Sequence, residues 1–265
     1  MHLSYVRGGT DVPLLAETIG ARLRATTALF PDCRAVPGGV TYAELWRDVD
    51  HAARALIASG VYVGDRVGVS VSDRYEALVA RFAAVRVGAI VVSAHRGDDL
   101  AKAGVTVLFH AGGPIGRCRE MVSLDRGWER FLAAGPGVSP VEALTREFHF
   151  HPDDPALIVR GATYTHRALV NRTASVLRSL DDPGVAVLGR VPPWVEVKIV
   201  DAYGDTVPRG VVGEQWTRGY HVMLGHWNER AAVVDPDGWL HTGEVCVMDA
   251  DDVVSLAWSP AVRVA

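Results

Sequence analysis

Between Thr41 and Phe109 the chain alternates between two periodicities, and this alternation limits the available folds more than any other feature. Thr41 followed by Glu44 has the pattern of a capping box. Leu45, Val49, Ala52, Ala53 and Leu56 recur at helical spacing over 42–59, which predicts an amphipathic helix stopped by Gly60. Gly64-Asp65-Arg66 then turns into the short apolar run 67–71. A second helical pattern over 75–87, through Leu78, Val79, Phe82, Ala83 and Val85, ends at Gly88. Apolar runs over 89–93 and 105–109 read as two further buried strands, with a short helix over 98–103 between them. Strands alternating with helices in this way imply parallel βαβ units.

Beyond Gly112 the signal weakens, although Trp128-Glu129-Arg130-Phe131-Leu132 reads as part of a helix and Gly135-Pro136-Gly137 as a loop. Residues 156–159 read as a strand. Thr165 caps a predicted helix through Leu169, Thr173, Val176, Leu177 and Leu180, broken by Asp181-Asp182-Pro183-Gly184. From Val185 the pattern is β. Val195-Glu196-Val197-Lys198-Ile199 alternates apolar and polar residues, Tyr203-Gly204-Asp205 turns, and Gly213-Glu214-Gln215-Trp216-Thr217 reads as another strand. The expected organisation is an α/β subdomain over 1–188 and a β-rich, barrel-like or bent-sheet subdomain over 189–265.

Composition narrows the function classes. With 49% hydrophobic and 22% charged residues in 265, the chain has the make-up of a globular protein with a sizeable core. Its net charge of −4, without a Lys/Arg cluster, offers no field for nucleic acid. No apolar run reaches the roughly 18 residues of a membrane helix, and the first residues lack the layout of a signal peptide, so a cytoplasmic location is expected. Cys33, Cys118 and Cys246 have no paired metal spacing and read as thiols in packing positions. His149 and His151 flank Phe150 and would share a face in an extended segment, but a metal would need a third ligand. No Gly-x-Ser-x-Gly elbow and no dinucleotide fingerprint after a strand is present. Gly112-Gly113-Pro114-Ile115-Gly116 has the wrong spacing for one.

Three blocks carry a resemblance. The first runs from Thr41-Tyr42-Ala43-Glu44-Leu45 through Gly64-Asp65-Arg66-Val67 to Arg96-Gly97-Asp98-Asp99-Leu100. The second joins Asp154-Pro155-Ala156-Leu157-Ile158-Val159 directly to Arg160-Gly161-Ala162-Thr163-Tyr164-Thr165-His166-Arg167-Ala168-Leu169. The third runs from Gly210-Val211-Val212-Gly213-Glu214 through Gly225-His226-Trp227-Asn228 to Asp237-Gly238-Trp239-Leu240-His241-Thr242-Gly243-Glu244. In order and spacing they resemble the acyl-adenylate-forming superfamily of acyl-CoA synthetases, peptide-synthetase adenylation domains and luciferases. The resemblance implies a shortened version of that family's N-terminal domain, a parallel βαβ layer plus a small β-barrel-like part.

The departures from the family are as informative as the matches. In the family a Ser/Thr/Gly-rich loop ending in a Pro-Lys-Gly-like triplet wraps the ATP phosphates between flanks like those of the second block. Here only Arg160-Gly161 stands in its place. A polyanion cradle needs several convergent backbone N–H groups, hydroxyls and a cation, which one Arg beside one Gly does not supply. The family's acyl pocket and its adenine and magnesium motif would fall in the bridge from Leu180 to Gly189, only about ten residues long. The acidic residue that holds the ribose hydroxyls corresponds to Glu244, usually Asp, and Glu can still accept two hydroxyl hydrogen bonds. Ser259 stands where the family has a ribose-contacting Arg, and the chain stops at Ala265, about where a hinge leads to the domain with the catalytic lysine.

The expectation is an acyl-CoA-synthetase-like pseudoenzyme that has lost ATP-dependent adenylation. It would bind or scaffold a small acyl or carboxylate ligand, a carrier protein or a partner enzyme, as a homodimer or hetero-complex and without a cofactor. The alternative is an ATP-independent cyclase, hydrolase or isomerase acting on a small biosynthetic intermediate. Its acid–base candidates are His166, His241 and Glu244. Arg160, Glu244 and Trp239 are the candidate ligand contacts, and no metal ligand set is assigned.

Overall fold

A computed structural model describes residues 2–71, 73–95, 100–112, 116–172, 186–228 and 233–257. The Arg96-Gly97-Asp98-Asp99 segment, the 173–185 stretch and Ser259 lie outside the described residues. The chain divides into two compact units, residues 16–170 and residues 1–15 with 171–265. The boundary read from the sequence at 188 thus falls inside the second unit. The first fifteen residues join that unit because their strand, β1 (Tyr5–Arg7), completes its sheet.

In the unit 16–170, α1 (Ile19–Leu29) starts at Thr18, whose hydroxyl accepts from the Ala21 amide. The reciprocal capping box opens α2 (Tyr42–Ala58), with the Glu44 amide donating to Thr41 Oγ1 and Glu44 Oε2 accepting from the Thr41 amide. The predicted face of α2 is buried, with Leu45, Val49, Ala52, Ala53 and Leu56 all at 2% exposure or less. They pack with β2 (Arg66–Val69), α3 (Tyr75–Arg86), β3 (Ile90–Ser93) and β4 (Val105–His110) in one apolar core. Each larger side chain so buried contributes about 1.5–3 kcal/mol relative to exposure. Residues 100–103 form a turn, where the sequence reading had a helix. The Val105 amide closes onto the Leu100 carbonyl and Gly104 adopts φ +67°.

The sequence reading missed β5 (Glu120–Ser123), and α4 (Trp128–Leu132) lies where it was expected. Also missed was α5 (Pro140–Arg146), with Ser139 as its cap. Completing the unit are β6 (Pro155–Val159), β7 (Ala162–Thr165) and the short α6 (His166–Val170). The sheet runs β7-β6-β3-β2-β4-β5, with every pairing parallel except the β6–β7 hairpin. Behind it, Arg86, 3% exposed, pairs with Asp50 of α2 at 2.7 Å and with Glu147 at 3.0 Å. Its guanidinium lies 4.3 Å from the Trp46 ring centroid. The α2–α3–α5 packing is therefore pinned by a charge whose burial is offset by two carboxylates.

In the second unit, β1, β8 (Gly189–Arg190), β9 (Val195–Val200), β10 (Val212–Gly219), β12 (Leu240–Met248) and β13 (Val253–Leu256) form an antiparallel sheet. Their order is β1-β9-β10-β12-β13-β8. The two-residue β11 (Gly225–His226) is outside it. One face buries Val195, Val197, Ile199, Cys246, Met248 and Val254. Gln215 closes this core, exchanging two 2.8 Å hydrogen bonds with the Val187 backbone. Of the three free cysteines only Cys246 is a core residue; Cys33 is exposed, contrary to the packing role expected of it. No helix among the described residues is long and apolar enough to cross a membrane.

Candidate functional site

The candidate residues fall into two groups, one in each unit. Arg160 and His166 belong to the first. Strand β6 meets β7 across two residues, with Val159 facing Ala162 in register. Arg160 has φ +47° and Gly161 φ +85°, so both central residues are left-handed, as a two-residue hairpin of this twist demands. The join between the two flanks is thus a hairpin where the sequence suggested a direct strand-to-helix passage. Its turn exposes the Arg160 side chain and leaves no length of backbone to enclose a polyanion.

His166 follows β7 and is 0% exposed, stacked on Phe150 with ring centroids 5.2 Å apart. Its Nδ1 accepts from the Ile19 amide at 3.3 Å and its Nε2 has no hydrogen-bond partner. Burial lowers its pKa to about 4, against a smaller opposing pull from Asp154. The ring is therefore neutral at physiological pH and fastens the start of α1. His149 and His151 are exposed on either side of buried Phe150. Among the described residues no cluster of three His, Cys, Asp or Glu side chains could hold a metal ion.

Trp239, His241 and Glu244 belong to the second unit, and the rings of Trp239 and His241 lie on the outer face of its sheet. His241 stacks on Trp216, its register partner on β10, at 3.6 Å between centroids and 11° between planes. Lys198 Nζ lies 4.4 Å from the Trp216 centroid and 4.6 Å from that of Trp239. Arg218 also lies over Trp239, at 4.6 Å, and pairs with Glu196 at 2.8 Å. Burial raises the Glu196 pKa, but the hydrogen bonds from Arg218 and Tyr5 overcome that and hold it below the usual range. Asp235 accepts the amides of Asp237 and Trp239 and stands 3.6 Å from His241 Nε2, too far for a hydrogen bond. Trp239 is only 7% exposed, so it works here as the lid of a cation–aromatic cluster.

Glu244 sits on a bulge. Between the register pairs Glu214 with Val245 and Trp216 with His241, one residue of β10 faces three of β12. Gly243 takes φ +69° there, its amide donates to Glu214 Oε1, and Thr242 Oγ1 donates to the Gln215 carbonyl at 2.6 Å. The Glu244 carboxylate is half-buried and makes no hydrogen bond or ion pair among the described residues, so it is open to a ligand. The sequence reading missed Lys198, Trp216 and Arg218. Their signal was cations and aromatics at alternate, outward positions of paired strands.

With this geometry in place, likeness to known proteins is informative. The fold is that of the N-terminal domain of acyl-adenylate-forming enzymes. A long-chain-fatty-acid-CoA ligase from Archaeoglobus fulgidus superposes with TM-score 0.72 at 14% identity, over 97% of this chain and 86% of that one. An artificially fused adenylation–PCP di-domain, NpsA-ThdA from Klebsiella oxytoca, superposes with TM-score 0.68 at 14% identity, over 93% and 72%. In sequence, residues 23–103 match the AMP-binding enzyme family. The mitochondrial medium-chain acyl-CoA ligase ACSF2 of Danio rerio is 38% identical over 95 residues, 34% of this chain. Such matched stretches span only 13–16% of the first curated relatives' lengths. Residues 23–103 thus match the AMP-binding enzyme family, and the fold is similar to that of acyl-CoA ligase N-terminal domains.

Proposed function

We propose that this chain is an acyl-CoA-ligase relative without ATP-dependent adenylation, used to bind an acyl or carboxylate ligand, a carrier protein or a partner enzyme. The observation that carries this reading is the two-residue turn at Arg160-Gly161. Adenylation needs the triphosphate held and its charge neutralised as pyrophosphate leaves, and that demands a cradle of amides with a metal ion. The residues of the hairpin do not fit an ATP–magnesium complex, and no step of chemistry is derived through one. Glu244 retains the capacity to accept two hydroxyl hydrogen bonds and is the ligand contact best supported by its open carboxylate. The carrier-protein possibility draws support from NpsA-ThdA, in which an adenylation domain is fused to a PCP.

The alternative of ATP-independent chemistry would rest on His241, with Asp235 at 3.6 Å, and Glu244. His166 is the weakest of the acid–base candidates, because its ring is fully enclosed. Thermal-shift measurements with ATP, AMP, CoA and acyl-CoAs test the main reading, since a ligand selective for the native state raises its Tm. A rise with acyl-CoA or CoA and none with ATP is the expected result. A rise with ATP that needs magnesium would overturn it.

A further inference from the structure

The sheet of the unit 16–170 reverses its strand order at β2. The chain goes from β2 to β3 on one side and then to β4 on the other, and the carboxyl ends of strands beside such a reversal are where open α/β sheets hold ligands. Alternation assigns the faces there. Val67, Val69, Val107 and Phe109 point into the helix-covered core, so Gly68 and Leu108 point the other way, as do Ser70 and His110 at the carboxyl ends. Ser123 of β5 is the register partner of His110, and the Ser70 amide donates to the Phe109 carbonyl at 3.0 Å. Three polar side chains from three adjacent parallel strands therefore form one row. Along the same face lie buried Leu108, Val92 and Ile158.

His110 is 8% exposed, and its Nδ1 is buried without any hydrogen-bond partner. Such a group destabilises the fold unless something supplies the missing bond. The Ser70 hydroxyl has no partner among the described residues, and Ser123 Oγ only accepts, from the Asp125 amide at 3.3 Å, which leaves its proton free. Charge around the row is already balanced. Arg74 is bound to Asp125 and Glu76, Asp125 also accepts the Gly112 amide, and Arg81 donates to the Val71 carbonyl. The two arginines beside the row are thus already engaged, and an anion would face two paired carboxylates.

We propose that Ser70, His110 and Ser123 at the β2/β4 strand reversal bind a small uncharged amide or alcohol. An amide can both donate to and accept from hydroxyls and a neutral imidazole without the penalty of burying a charge. The row is two strands away from the β6–β7 turn, so it is separate from the place of the lost phosphate loop.

Titration with N-butylacetamide, followed by the imidazole nitrogen NMR signals of His110, is the test. A saturable shift is expected, with affinity falling roughly fivefold in Ser70→Ala, the equivalent of one neutral hydrogen bond. His110→Phe should abolish binding without lowering Tm, because it removes an unsatisfied buried group. Should that variant misfold, the Ser70→Ala titration still decides. No shift with the amide, which leaves only a buried water to satisfy His110, overturns the proposal. Equal or tighter binding of butyrate overturns it too.

Discussion

Arg160 opens the two-residue turn between β6 and β7 with a left-handed backbone. A non-glycine residue held at φ +47° costs about 1 kcal/mol, which Gly would not pay. Arg160→Gly is therefore expected to raise the unfolding free energy by about 0.5–1 kcal/mol in urea titrations; a loss would show that the side chain contributes more than its exposure suggests. His166 provides the second test. Its folded pKa, about 4, lies below the ordinary 6.5, so on acidification the unfolded chain takes up a proton before the folded one. The stability it confers is complete above pH 6.5 and drains away as pH falls toward 4, at no more than about 1.4 kcal/mol per pH unit. Buried His221, lowered to about 3 chiefly by burial, acts in the same direction in the other unit. Between pH 6.5 and 4.5 unfolding should become easier, and His166→Phe should flatten that dependence for the unit 16–170. An unchanged slope would mean that the ring titrates in the folded state.

At the scale of elements, α2 and α3 were legible because they repeat their apolar residues at the helical period, and β2, β3 and β4 because burial on both faces makes them short continuous apolar runs. The cap at Thr41 and the stops at Gly60 and Gly88 were equally plain. Elements that bury little escaped notice: α1 hides only Gly20 and Leu23. The strand β7 was missed because Ala162–Thr165 mixes apolar residues with two buried threonines and follows a turn too short to announce itself. The cluster of Lys198, Trp216, Trp239 and His241 comes from three strands, and no local pattern could have assembled it. The same holds for the Arg86 pair, which draws on α2, α3 and the residue after α5. Arg86→Met should cost about 3 kcal/mol, because buried Glu147 would keep only Arg24, at 3.4 Å, and Asp50 only Arg54, at 3.0 Å. Denaturant unfolding checks this, and a cost below about 1 kcal/mol would mean that the carboxylates find water.

For the whole molecule, the resemblance agrees with the AMP-binding match over residues 23–103 and with the fold, whereas the unit boundaries became visible only in three dimensions. The strand Tyr5–Arg7 pairs with Val197 and its neighbours from the far end of the chain, a relation without a sequence signature. Several large apolar side chains stand open to solvent, among them Phe148 at 74% and Leu29 at 72%. Surface of this kind favours association, and light scattering at micromolar concentration should report a dimer or larger species; a well-behaved monomer would remove the homodimer from the account. With only two residues between β6 and β7, the chain is expected not to activate carboxylates. Carboxylate-dependent exchange of labelled pyrophosphate into ATP tests it most directly. The account predicts no exchange above the protein-free rate with short, medium, long or aromatic acids, and magnesium-dependent exchange with any one of them would contradict it.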